Sequence, residues 1–255
     1  MVVLKSTTNR FGGVLIDPDA LPADPETFRL RMRHSASDWQ SQGLKVVWLQ
    51  VPIDKSNLIP VAVEEGFKFH HSDDSNLMLT FQLETNAFVP SYASHYIGAG
   101  GVVLNDDQEL LVVSELYRGS GRPPYYKLPG GSLHQGEHLV DGVIREVLEE
   151  TGVETNFDAL VCFRHWHGYR FSKSDIYFVC RLSPASHEIT KQEDEIEECL
   201  WMPVTEYLGS EYVGDFNKHI VQAALDSPGI VPTWMDGYND PDLREFFMPH
   251  KADWE

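Results

Sequence analysis

Residues 129 to 153 read Pro-Gly-Gly-Ser-Leu-His-Gln-Gly-Glu-His-Leu-Val-Asp-Gly-Val-Ile-Arg-Glu-Val-Leu-Glu-Glu-Thr-Gly-Val, a tight glycine loop running into a carboxylate-rich helix. The pattern predicts a helix over 137 to 151, stopped by Gly152 in the left-handed cap. At about 100° per residue, Val140, Val143, Ile144, Val147 and Leu148 are expected on a packing face. Glu146, Glu149 and Glu150 are expected on the opposite face, toward a cleft. Three carboxylates this close repel one another unless water screens them or cations bridge them. All-oxygen donors without cysteine or histidine suit Mg²⁺ or Mn²⁺, not zinc. The Gly131 carbonyl offers one more such oxygen, and Arg145 can pair with Glu149 or Glu137 to orient the acidic row. A solvated surface is the ordinary reading of a Glu-rich helix; the glycine loop before it and the glycine stop after it argue for a site instead.

Such a site would bind a diphosphate, neutralise its charge and activate a water for hydrolysis. The fixed positions are Gly131, then Glu137 after five residues, Arg145-Glu146-Val147 after seven more, Glu149-Glu150, and Gly152-Val153. By ordinary residue usage the chance of this pattern is about 10⁻⁹ per starting point. It resembles the signature of the Nudix hydrolases at every fixed position. The resemblance implies a metal-dependent hydrolase of a nucleoside diphosphate linked to another group, in which Glu146, Glu149 and Glu150 bind metal or activate water. Members of that family differ over which glutamate is the base, and several use one from a loop downstream of the box. The run Lys191-Gln192-Glu193-Asp194-Glu195-Ile196-Glu197-Glu198 offers several, of which Glu195 is chosen because Glu-Ile precedes the Trp201-containing strand as in many relatives.

The flanks resemble one subgroup, that of the vertebrate antisense fibroblast growth factor protein and the plant cytosolic ADP-ribose and NADH pyrophosphatases. The strings that carry this are Val47-Trp48-Leu49, Glu65-Gly66-Phe67, Ile97-Gly98-Ala99-Gly100-Gly101, Lys127-Leu128-Pro129, Phe163-Arg164 with His167, and Lys173-Ser174-Asp175-Ile176-Tyr177. The subgroup implies a nucleotide-type substrate, first ADP-ribose or NADH, cleaved to AMP and a phosphorylated remainder. It also implies an amino-terminal module shaped like part of an acetyltransferase, although residues 1 to 83 carry no Gly-x-Gly loop for acetyl-coenzyme A. This module is expected to cover the active-site cleft, shape the substrate pocket or build a homodimer. Other diphosphates (capped RNA, dinucleoside polyphosphates, coenzyme A, diphosphoinositol phosphates) and a ligand-sensing module with weak catalysis stay open, because the box names a reaction class and no substrate.

A formal charge of −19 over 255 residues argues against non-specific attraction to nucleic acid or an anionic membrane. A polyanionic substrate then needs local cations. Arg118, Arg122 and Lys127 precede the glycine loop, while Arg164, His165 and His167 follow the box; Arg118, Lys127, Arg164 and His167 are the candidates for substrate contact. No run approaches the length of a membrane span and the start is too short in apolar residues for a secretory signal, so a cytoplasmic protein is expected. Cys162, Cys180 and Cys199 lie in apolar runs and read as buried, reduced thiols.

The expected fold is α/β: a small α/β module over residues 1–90, a Nudix α/β/α sandwich with a mixed sheet over 91–230, and an irregular tail over 231–255 that packs back on it. Within the module, a helix from Asp24 to Gln42 should bury Phe28, Leu30, Met32 and Trp39. Strands are expected at 45–52, 67–70 and 77–83, and a short helix at 57–65. In the sandwich they are expected at 95–105, 109–117, in a short segment ending at Leu128, and at 157–166, 174–182 and 199–203. A last helix is expected near 213–226.

Overall fold

In the computed structural model, which describes residues 2–117, 125–238 and 240–249, Val47, Leu49 and Val51 bury alternate positions of a strand, β3 (Val46–Pro52). That period of two is what a half-buried strand requires. The chain divides into two units, Met1–Ser94 and His95–Glu255. In the first, β1 (Ser6–Thr8), β2 (Gly13–Ile16), β3, β4 (Lys68–Ser72) and β5 (Asn76–Gln82) form one sheet in the order β1-β2-β3-β5-β4. Strands β2 and β3 run parallel, and the crossover between them is α1 (Pro25–Ser41). Asp24 caps α1 by accepting the Thr27 N–H at 2.8 Å, and Pro25 occupies the first turn, where no N–H is needed. Phe28, Met32 and Trp39 enter the core with Leu49 and Leu79. Leu30 does not: it is 53% exposed, about 200° around the helix from Phe28. Helix α2 (Ile59–Glu64) completes the unit.

The second unit contains β6 (His95–Val103), β7 (Glu109–Glu115), β8 (Gly130–Ser132), α3 (Leu139–Thr151), β9 (Thr155–Trp166), β10 (Ser174–Pro184) and β11 (Ile196–Pro203). They are followed by α4 (Val204–Gly209), α5 (Asp215–Asp226), β12 (Val231–Pro232) and β13 (Phe247–Met248). The mixed sheet has the order β8-β6-β10-β9, with β6 parallel to β10 and its other pairs antiparallel; β7 and β11 pair separately. Alternate residues of the strands serve two cores. Ala99, Val103, Leu111, Cys180 and Leu182 meet Leu139, Val143 and Val147 of α3. Val102, Leu110, Val112 and Val179 meet Val204, Tyr207, Ile220 and Val221 of α4 and α5. Helices thus cover both faces, giving the α/β/α sandwich.

The short strand before the box lies at Gly130–Ser132 and does not end at Leu128. Pro129 has no N–H to donate, so Lys127 makes only an isolated bridge to Val113, while Gly130 and Gly131 pair with Gly100 and Ala99. In the tail, β12 pairs with β13, Ile230 bridges Leu160, and the Phe247 ring packs 5.8 Å from that of Phe157. The three cysteines are unpaired thiols, Cys180 buried and the others partly so. Among the described residues no helix is long and apolar enough to cross a membrane.

Candidate active site

Helix α3 ends as its sequence dictates, with Gly152 at φ +74° and its N–H on the Leu148 carbonyl. Its two faces differ from the sequence expectation. Glu150 is buried, 6% exposed, whereas Leu148 is 44% exposed. Glu150 follows Val143 by seven residues, close to two full turns, and returns to within about 20° of the packed side. Glu146 stands at the edge of that side and Glu149 beyond it, toward solvent.

Arg145 organises the outer carboxylates. Its Nε donates to Glu137 Oε1 at 2.7 Å and its Nη2 to Glu137 Oε2 at 2.9 Å. Nη1 donates to Glu146 Oε1 at 2.9 Å and Glu149 Oε2 at 2.8 Å, and Nη2 reaches the Ser132 carbonyl at 3.2 Å. All five guanidinium donors are used, a fork that lysine cannot reproduce. The Arg145 pairing, helped by the His134 N–H and opposed by burial, holds the Glu137 carboxyl down to about 2.

Glu150 takes different partners. Its Oε2 accepts the Gly130 N–H at 2.8 Å, and Oε1 lies 3.5 Å from Lys127 Nζ, which also pairs with Glu115 at 2.8 Å. Burial pushes the Glu150 carboxyl above its ordinary range, against Lys127 and the Gly130 N–H; Glu146 pushes the same way as burial. Burial pulls the Lys127 ammonium down, but Glu150 and Glu115 outweigh it and the net shift is upward. The glycines are what let these groups meet. Gly130 adopts φ +148°, and a Cβ there would collide with the Ala99 carbonyl; a Cβ on Gly131 would lie 2.5 Å from Glu146 Oε2.

Among the described residues, Glu115, Glu137, Glu146, Glu149 and Glu150 pair with Arg145 and Lys127, five carboxylates against two cations. By donor chemistry the set fits a hard divalent cation. Among the described residues no three side chains converge on one ion-sized point, since Arg145 stands among Glu137, Glu146 and Glu149. A cation drawing on Glu146 and Glu149 competes with Arg145 for them.

The acidic loop docks on the end of α3: the Thr190 N–H donates to the Thr151 carbonyl at 2.8 Å and the Gln192 N–H to the Glu150 carbonyl at 3.1 Å. Glu195 is exposed there, its own carbonyl taken by the Leu116 N–H; its carboxylate is not among those Arg145 gathers. Glu198 instead accepts the Tyr126 hydroxyl at 2.7 Å.

Arg164 pairs with Asp175 at 2.5 Å, and its guanidinium carbon lies 5.3, 5.4 and 5.5 Å from the ring centres of Trp166, Tyr177 and Phe216. His167 is oriented by Ser174 Oγ at 2.9 Å from its Nδ1. Tyr177 links the two regions. Its hydroxyl lies over Gly100, where a side chain has no room, and burial followed by the Glu150 charge keeps it protonated. Sequence reasoning did not single out Glu115, Tyr177 or Phe216. Asp175, embedded in an apolar strand two residues after Lys173, was the legible hint of a buried partner for Arg164. Arg118 and Arg122 lie outside the described residues.

A family model described as NUDIX domain matches residues 94–223, about half of the chain, and one described as Nudix hydrolase domain matches residues 4–83. The chain belongs to the Nudix hydrolases. Nudix hydrolase 8 of Arabidopsis thaliana is 41% identical over 208 residues, covering 81% of this chain and 56% of its own length. This Nudix chain therefore spans little more than half of that relative. Nudix hydrolase 2 of the same plant is 41% identical over 84% of this chain and 77% of its own. The human protein named nucleoside diphosphate-linked moiety X motif 6 is 32% identical over 96% of this chain and 78% of its own. A solved NUDIX hydrolase from Nitrosomonas europaea covers 51% of this chain and 88% of its own at 22% identity, with a TM-score of 0.44.

Proposed function

We propose that this protein hydrolyses the diphosphate bond of a nucleoside diphosphate linked to a second group, with ADP-ribose and NADH as first substrates and AMP as the common product. The observation that carries the reading is the complete acidic box on α3, Glu146, Glu149 and Glu150, beside a glycine loop that admits no side chain. The name of the human relative, which speaks of a nucleoside diphosphate-linked moiety, supports the substrate class.

Glu146, Glu149, Glu150 and the Gly131 carbonyl would hold a Mg²⁺ or Mn²⁺ ion, which when bound supplies charge neutralisation and an acidified water. The remaining work falls to side chains. Arg145 holds Glu137 and donates to both Glu146 and Glu149, fixing where the two carboxylates stand. Lys127 and the Gly130 N–H hold Glu150 in place inside an apolar wall. We assign the water-activating role to Glu195, which is exposed on the loop docked to the end of α3. Arg164, held flat by Asp175 among three rings, and His167 are assigned to the nucleotide end of the substrate.

The test is product analysis with purified protein and Mg²⁺ or Mn²⁺: AMP with ribose 5-phosphate from ADP-ribose, or AMP with reduced nicotinamide mononucleotide from NADH. No AMP from either would remove these two substrates. No cleavage of capped RNA, diadenosine polyphosphates, coenzyme A and diphosphoinositol phosphates as well would remove the reaction class.

A further inference from the structure

Helix α3 starts at His138, which provides no side-chain cap, so its first N–H groups need a partner from elsewhere. That partner is Glu245. Its Oε2 accepts the Leu139 N–H at 2.8 Å and its Oε1 the Val140 N–H at 3.2 Å, from 106 and 105 residues further along the chain. The contact is built into the fold. His138 Nε2 lies 2.8 Å from the Pro241 carbonyl, β13 begins two residues after Glu245, and Phe247 packs on Phe157. A carboxylate at this end of a helix also meets the positive pole of the helix dipole.

We propose that Glu245 is a positioning residue for hydrolysis: by fixing the first turn of α3 from the carboxy-terminal segment, it sets the placement of Glu146 and Glu149 against Arg145 and Gly131. This rests on the hydrolase reading above. The first turn and Arg145 are about 9 Å apart along the axis, and Arg145 itself reaches back to Glu137 just ahead of the cap. The helix is thus held at its start by Glu245 and one and a half turns later by the Glu137–Arg145 clamp. Releasing the first hold leaves the clamp free to shift with the fraying turn.

The experiment uses the full chain and four proteins: wild type, Glu245→Ala, Glu245→Gln, and Glu245→Ala combined with His138→Ser. Serine at the cap position accepts from the helix locally and replaces the distant carboxylate. Glu245→Ala is expected to speed amide exchange over residues 139–142 and to lower kcat about fivefold, the rate equivalent of one lost cap, with KM within twofold. Glu245→Gln, which keeps an acceptor without the charge, is expected to fall between. Adding His138→Ser should restore both exchange protection and kcat, and it also supplies a folded protein should the single alanine variant melt too low. An unchanged kcat in Glu245→Ala despite faster exchange would overturn the proposal. So would a double variant that regains protection without regaining kcat. A wild-type protein that cleaves no diphosphate defeats the hydrolase reading instead, while the exchange measurements still decide whether Glu245 holds the helix.

Discussion

Replacing Glu146 by Gln is expected to lower kcat by about 10²- to 10⁴-fold, the range for removing a carboxylate that works on the reacting groups. Glu146 stands against the glycine loop: its Oε2 occupies the space where a Gly131 side chain would begin, and its Oε1 takes one bond from Arg145. The amide keeps the shape and can keep accepting from Arg145, so the lost charge is the main variable. Stability should not suffer. Glu146 adds to the burial that pushes the neighbouring Glu150 carboxyl up, so removing its charge relieves repulsion inside the site. The check is steady-state kinetics at saturating metal beside a urea titration. A loss in kcat below tenfold, or a loss matched by unfolding, would contradict the role.

Gly130→Ala is expected to destabilise the second unit by about 3 kcal/mol or more, through a backbone conformation alanine resists and a Cβ placed on the Ala99 carbonyl. The same change also disturbs the N–H that holds buried Glu150, so the folded remnant should be nearly inactive. Gly136→Ala is the control. Gly136 also has positive φ, +81°, but nothing lies within 4 Å of its would-be Cβ, so only the conformational cost of about 1 kcal/mol applies. Urea midpoints of the two variants measure the difference, and equal losses would show that the close approach at Gly130 carries no weight.

The elements that position these residues were legible where local periodicity is long. The box helix, its glycine stop and the long strands β6, β7, β9 and β10 follow from pattern alone. Legibility failed where the argument needed more than pattern. Glu150 was placed with the exposed carboxylates because charge alone suggests solvent, yet two turns of helix return it to the side of Val143, where Lys127 and the Gly130 N–H make its burial tolerable. Strands β1 and β2 have three and four residues, too short for any period to show. Glu245 could not be found at all, since a cap supplied from 106 residues away leaves no local signal next to His138.

Manganese binding to the full chain, read by the loss of the free Mn²⁺ electron paramagnetic resonance signal, tests the central claim without relying on any substrate. The wild-type protein should take up Mn²⁺ and Glu146→Gln should bind it at least tenfold more weakly, because one carboxylate of the set loses its charge. Equal uptake by the two proteins would contradict the assignment of the α3 carboxylates as the metal site.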